Sequence, residues 1–230
     1  MNWNIRDYNE HSDTVHYSEG ILLRSIITVG RQFGTGGHEI GEKLADRLGI
    51  KCYDKELIKR VAKESGLCDE ILEIHDERPT SSFLYNLVMD TYSFGITNSN
   101  YVDMPLSHKV FLAQFDTIKK IANEGPCVIV GRCADYALAD LPNVLNLFIY
   151  GKMDKRIERI MDKYSVSEKE ARDMVIKKDK QRASYYNYYS TKKWGKAETY
   201  DLCVDSTVLG RDGTVELLYQ FVMDYENTLK

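Results

Sequence analysis

The stretch that most limits what this chain can become runs from residue 21 to residue 49. It reads ILLRSIITV, then GRQFGTGG, then HEIGEKLADRLG. A nearly continuous β-branched run of that length reads as a strand buried on both faces of a parallel sheet. Ile40, Leu44 and Leu48 recur every four residues, so they line one side of a helix, and Gly49 is placed to close it. A strand, a glycine turn and a helix in that order point to the α/β class.

Four more short apolar runs have strand character: IKCY at 50–53, PCVIVGR at 126–132, VLNLFIYG at 144–151 and YDLCVDST at 200–207. Helical patterns separate them. DKELIKRVAKES opens on Asp54, its expected cap; FLYNLVMDTY and HKVFLAQFDTIKKIANEG are joined by the loop GITNSNYVDMP; DKRIERIMDKY, SEKEARDMVIKKDKQRASYYNYYS and DGTVELLYQFVMDY complete the set. Five buried strands linked by helical crossovers predict an open parallel sheet covered on both sides. Residues 1–24 are polar and aperiodic, an arm that is either disordered or laid on a neighbouring subunit, as it would be in a homodimer. Residues 25–230 are then one domain, with a helical insert at 66–125 that suits a lid or a substrate-binding subregion.

The net charge of −4 hides an asymmetry: residues 152–196 carry 14 Lys or Arg against 7 Asp or Glu, leaving 17 basic against 28 acidic elsewhere. A local basic segment on an acidic body suits a small polyanion such as a nucleotide; duplex nucleic acid usually needs a broad positive face. The five cysteines form no CxxC pair and three lie in apolar runs, as reduced, mostly buried thiols would. No apolar run reaches the roughly 18 residues of a membrane helix, and the first twenty residues have no leader composition. A cytoplasmic, unprocessed protein is expected. His75, His108, Asp76 and Glu77 lack metal-ligand spacing, so no structural metal site is expected.

The glycine turn carries the chemistry. Gly34, Gly36 and Gly37 bring backbone N–H groups and the positive end of a helix to an anion, with Thr35, His38 and Glu39 on the same turn. The match to GxxxxGK[ST] is incomplete: with Gly36 as the final glycine, Gly37 stands where lysine belongs, Arg31 replaces the first glycine, and Glu39 takes the place of a Mg²⁺-binding hydroxyl. A guanidinium, from Arg31 or from the basic segment, is the expected replacement cation. A rival reading takes Gly30, Gly34 and Gly36 as the GxxxGxG of a short-chain dehydrogenase, with a YxxxK at Tyr188 to Lys192. No serine stands about a dozen residues before that tyrosine, and 66–125 lacks alternating strands and helices.

The segment ITVGRQFGTGGHEIGEKLADRLGIKCYDKELI, with CVIVGR, DKQRASYYNYYSTKKWG and YDLCVDST, resembles the cytidylate kinase-like family over about residues 25–225. That resemblance implies a three-layer P-loop kinase-like fold whose basic lid is 152–196, with ATP and Mg²⁺ as cofactors. It also implies transfer of a phosphoryl group to a small acceptor, a pyrimidine nucleoside monophosphate above all. Arg31 and residues 34–37 would form the phosphate loop. Asp54, Arg132 and Asp135 would line the acceptor side, and Lys178 and Arg182 would act from the lid. The chain departs from the family at Val130, where an aspartate is usual, at Cys133 and at His38, where arginine is usual. These departures and the missing lysine leave a second reading: a nucleotide- or phosphate-binding protein without transfer activity, with a regulatory or assembly role.

Overall fold

The structure, a computed structural model, describes residues 17–18, 21–77 and 105–229. The helix expected at FLYNLVMDTY, most of the loop GITNSNYVDMP and most of the 1–24 arm lie outside these residues.

The strands are β1 (Tyr17–Ser18), β2 (Ile21–Leu22), β3 (Ile26–Arg31), β4 (Lys51–Tyr53), β5 (Cys127–Val130), β6 (Val144–Tyr150) and β7 (Leu202–Asp205). The helices are α1 (Gly37–Leu48), α2 (Lys55–Ser65), α3 (Asp69–His75), α4 (Leu106–Asn123), α5 (Ala134–Ala137), α6 (Met153–Tyr164), α7 (Glu168–Tyr189) and α8 (Ser206–Thr228). β1 and β2 form a two-residue antiparallel pair. The other five strands form one parallel sheet in the order β4-β5-β3-β6-β7. β3 is central, and the chain leaves it to opposite sides, so the crevice past its carboxyl end is a topological switch point.

Alternation along the central strands supplies two cores. Ile27 and Val29 on β3, with Val128 and Val130 on β5, pack with Ile40, Leu44, Leu218 and Val222 of α1 and α8. Ile26, Cys127 and Ile129 face the other way, onto Leu57 and Val61 of α2 and Val110 and Ile118 of α4. α1 ends at Gly49 in the left-handed conformation (φ 69°), whose N–H returns to Ala45 O and Asp46 O, as the glycine at that position predicts.

Three local expectations are corrected. ILLRSIITV is broken into β2 and β3 because the amides of Arg24 and Ser25 leave the sheet and donate to the carboxylate of Glu226 on α8. Asp54 precedes α2 but makes no cap bond with its side chain, which turns instead to Arg132. α8 starts four residues before its main body and is interrupted at Gly210, which has non-helical φ 68° and ψ −177°. Ser206, in that first turn, donates to Thr35 O at 3.0 Å and so ties α8 to the glycine turn. Among the described residues, no helix is long and apolar enough to cross a membrane.

Glu226 is 1% exposed and accepts from Ser25 N at 2.7 Å, from Arg24 N and from the Ser25 hydroxyl. Removing it orphans buried donors, so Glu226→Ala should lower unfolding stability by about 1–3 kcal/mol. Urea titration checks this; an unchanged midpoint refutes the role of that carboxylate.

Candidate functional site

β3 runs into the turn Gln32–Gly36, and α1 starts at Gly37. Gly34 and Gly36 have φ of 85° and 83°, where an L side chain is strained. α6 lies directly on the turn: a Cβ at Gly34 would stand 2.9 Å from Arg156 O, and one at Gly36 would meet the guanidinium of Arg159. Gln32 N is satisfied by Ile149 O and Gly37 N by the Thr35 hydroxyl. Among the described residues, nothing accepts from the N–H groups of Gly34, Thr35, Gly36, His38 or Glu39. Five open amides at a helix N-terminus are the kind of backbone array that can receive an anion.

Charged side chains from four helices surround this turn. Arg156, buried on α6, pairs with Asp179 of α7 and donates to Phe33 O, while its Nε is buried without a hydrogen-bond partner. The other oxygen of Asp179 accepts from Phe33 N at 2.7 Å, so one amide of the turn holds a carboxylate from α7. Glu39 accepts from Arg159 at 2.9 Å and from Arg211, with Lys43 at 3.7 Å. Those contacts and burial act oppositely on Glu39, and the arginines prevail: its pKa is lowered.

A second cluster lies past the ends of β3 and β5. Arg132 is 3% exposed. Its Nε and Nη2 grip both oxygens of Asp76 at 2.8 and 2.9 Å, and its Nη1 donates to Asp54 at 2.8 Å and to Val130 O. Arg31 pairs with one oxygen of Glu77, and Arg182 donates to the other at 3.0 Å and to Arg31 O. Glu77, Arg132 and Cys133 all have φ between 50° and 55°, left-handed for residues that carry a side chain. Each such residue costs about 1–3 kcal/mol. The bond from Arg132 N to Glu77 Oε1 couples two of them.

Burial alone would raise the pKa of Glu77, but the guanidiniums of Arg31, Arg182 and Arg132 outweigh it and hold the carboxyl far below its usual range. Asp54 is lowered against burial by Arg132 and Arg31. These carboxylates in turn overcome burial and raise Arg31 and Arg132; Arg182, buried and next to Arg31, is lowered. Every guanidinium nonetheless stays charged at working pH.

Asp54 touches both clusters, because its second oxygen lies 2.7 Å from Nδ1 of His38 on α1. That contact is out of line for a hydrogen bond, and His38 Nε2 faces Glu42 at 3.3 Å. Asp135 is buried and accepts from the Tyr186 hydroxyl; burial raises its pKa against that bond. With Thr28, Gly30, Cys133, Tyr186 and Tyr200 it lines a cavity of about 20 Å³, room for about one water.

The structure thus brings Gly34, Thr35, Gly36, Gly37, His38 and Glu39 together at one turn. Arg31, Asp54, Arg132 and Arg182 meet in the adjoining cluster. Arg31 points back into that cluster and away from the turn's mouth. Lys178 is exposed on α7 and does not line the cavity. Counted from Gly36, the residue after the lysine position is His38, so the place of the hydroxyl is His38's and not Glu39's. Tyr185 and Tyr189 pack on Phe111; Tyr189 stacks on it at 3.8 Å between centroids. Sequence reasoning missed Arg156, Arg159 and Arg211. The first two stand three residues apart on one face of a basic helix, a spacing that could have singled them out. Asp76 and Glu77 carry no such signal, since only the fold brings them to Arg132.

A sequence profile of the cytidylate kinase-like family matches residues 26–208. The crystal structure of an uncharacterised protein from Eubacterium ventriosum is 31% identical, with 86% of this chain and 98% of that one covered and a TM-score of 0.63. Shikimate kinase from Bacteroides thetaiotaomicron is 10% identical (87% and 99% covered, TM-score 0.49), and a gluconokinase from Sinorhizobium meliloti is 12% identical (90% and 93%, TM-score 0.45). No curated protein matches the chain significantly.

Two outcomes follow from the geometry. Glu77 contributes stability at pH values above the ordinary carboxylate pKa of about 4, and that contribution is lost as pH falls through its lowered value in the fold. Glu77→Gln should therefore cost about 3–5 kcal/mol near neutrality, and the gap to the parent should shrink in urea titrations carried below about pH 4. At the turn, Gly34→Ala meets immovable backbone and should cost about 2–4 kcal/mol, combining left-handed strain with overpacking. Gly36→Ala meets the mobile end of Arg159 and should cost about 1–2 kcal/mol; equal losses in thermal melts would contradict this account of α6.

Proposed function

Because this chain belongs to the cytidylate kinase-like family, we propose that it is an ATP-dependent phosphotransferase whose triphosphate sits on the open amides of residues 34–39. Those amides carry the reading. They stand at a helix N-terminus beside Arg156 and Arg159, with Arg211 across the turn. Phosphoryl transfer asks mainly for positioning and charge neutralisation. In this proposal Arg159 and Arg211 take over the work of the missing lysine when they exchange Glu39 for phosphate oxygens. Arg31 keeps Glu77 and the inner cluster in place. Arg182 and Lys178 approach the transferring group from α7, within a 152–196 segment that closes as a lid.

The donor set fits a Mg²⁺ ion carried in with the nucleotide, which usually takes one or two carboxylates besides phosphate oxygens and water. Glu39, once released by its two arginines, would hold it. The ion would supply charge neutralisation on the phosphate chain. The acceptor enters on the side of Arg132, Asp54 and Asp135; a pyrimidine nucleoside monophosphate is the acceptor that the family's name suggests first.

Asp179 favours a second reading, a nucleotide-binding protein without turnover, since its carboxylate already occupies the Phe33 amide. A coupled assay of ADP release, run beside direct ATP binding, separates the two. Binding with no release to any acceptor, water included, selects the second.

Arg159→Ala should leave the fold intact, because Arg211 still holds Glu39, yet weaken ATP binding about 10- to 100-fold, the worth of a charge-assisted bond. Calorimetric titration gives the number; an unchanged Kd would remove Arg159 from the phosphate site.

A further inference from the structure

From the charge balance past β3 and β5, we infer that the phosphoryl acceptor is an uncharged hydroxyl compound and not a phosphomonoester, and that Asp54 receives its proton. This rests on the phosphotransferase reading above.

Among the described residues on the acceptor side, and next to the buried Asp135, three guanidiniums, Arg31, Arg132 and Arg182, face three carboxylates, Asp54, Asp76 and Glu77, every one in an ion pair within this set. Its net charge is zero. Arg132, the expected grip for an acceptor phosphate, spends four of its five N–H groups on Asp54, Asp76 and Val130 O. A phosphate dianion would have to displace the two-oxygen clasp of Asp76 or lie against these carboxylates. In a site this buried, such a like-charge contact is poorly screened by water. The turn side differs. Arg156, Arg159, Arg211 and Lys43 face Glu39, Asp179 and Asp212, with Glu42 against His38, and five open amides stand beside them. Anionic phosphate belongs there.

A balanced set of guanidiniums and carboxylates suits hydroxyl groups, which both donate and accept. A hydroxyl acceptor also brings a requirement that a phosphate acceptor lacks, because its proton must leave. Asp54 stands at the junction. One oxygen is on Arg132 of the acceptor side and the other is 2.7 Å from His38 Nδ1, on the first turn of α1 that carries the open amides. In the step proposed, the hydroxyl oxygen bonds to the γ-phosphorus, the bond from that phosphorus to the bridging oxygen breaks, ADP leaves with the electron pair, and the hydroxyl proton passes to Asp54.

The test uses the full chain with ATP and Mg²⁺, water as the smallest uncharged hydroxyl acceptor, and CMP, UMP, dCMP, AMP and GMP as phosphomonoester probes at millimolar concentration. Slow ADP release to water is expected, falling about 100-fold or more in Asp54→Asn, the usual worth of a general base, with ATP affinity unchanged. None of the five monophosphates should become a diphosphate. Asp76→Asn, which leaves one uncompensated guanidinium, should gain CMP binding by calorimetry. Conversion of any monophosphate faster than hydrolysis overturns the inference, as does ADP release that is indifferent to Asp54→Asn; ADP release absent in the parent strikes the phosphotransferase reading itself. The monophosphate arm needs only the parent chain, so it decides the acceptor's charge even where a variant misfolds. Loss of ATP binding in the parent strikes the phosphotransferase reading itself and is read separately.

Discussion

Burying charge without leaving it unpaired is the constraint around which this molecule is organised. Arg31 and Arg132 sit at the ends of the two central strands, nearly inaccessible to water. A lone guanidinium there would be prohibitive. Asp54 after β4 and Asp76 and Glu77 after α3 converge to balance them, and Arg182 on α7 pairs with the remaining oxygen of Glu77. Five separate segments are thereby fixed to one point in space. Left-handed backbone at Glu77, Arg132 and Cys133 is tolerated because so many bonds define each position.

The adjoining turn solves the opposite problem, keeping polar groups unpaired until something arrives. Its glycines let α6 lie close against it, and the side chains of α6 bring positive charge where a lysine in the turn would have stood. Moving the cation from the turn to a packed helix changes what holds it in place: Arg156 is anchored by Asp179, and Arg159 by Glu39. Both anchors are carboxylates, so each positive group is held by a contact that a phosphate can exchange for itself.

Much of the fold was legible in the sequence because periodicity reports burial. The five sheet strands lie where apolar runs predict them, and Ile40, Leu44 and Leu48 are fully buried on α1. The break between β2 and β3 was not legible, since it depends on Glu226, two hundred residues away. Asp54 had the local look of a helix cap, but a long-range pair with Arg132 took its side chain. At the site, the glycine turn, Arg31, Arg132 and Arg182 could be picked out by type and order. Their partners could not. Glu77 and Asp76 follow an unremarkable amphipathic helix, and only the packing of α3 against α2 and α4 carries them to the cluster.

The clasp between Ser25 and Glu226 also bears on how the chain comes together during synthesis. β3 emerges among the first structured segments, yet its neighbours are β5 and β6, more than a hundred residues later, and its leading amides find their acceptor only when residue 226 is made. The central strand therefore waits, exposed, for most of translation. A nascent chain of this topology closes its sheet late, and the interval before closure is when it depends most on chaperones to keep that strand from foreign edges.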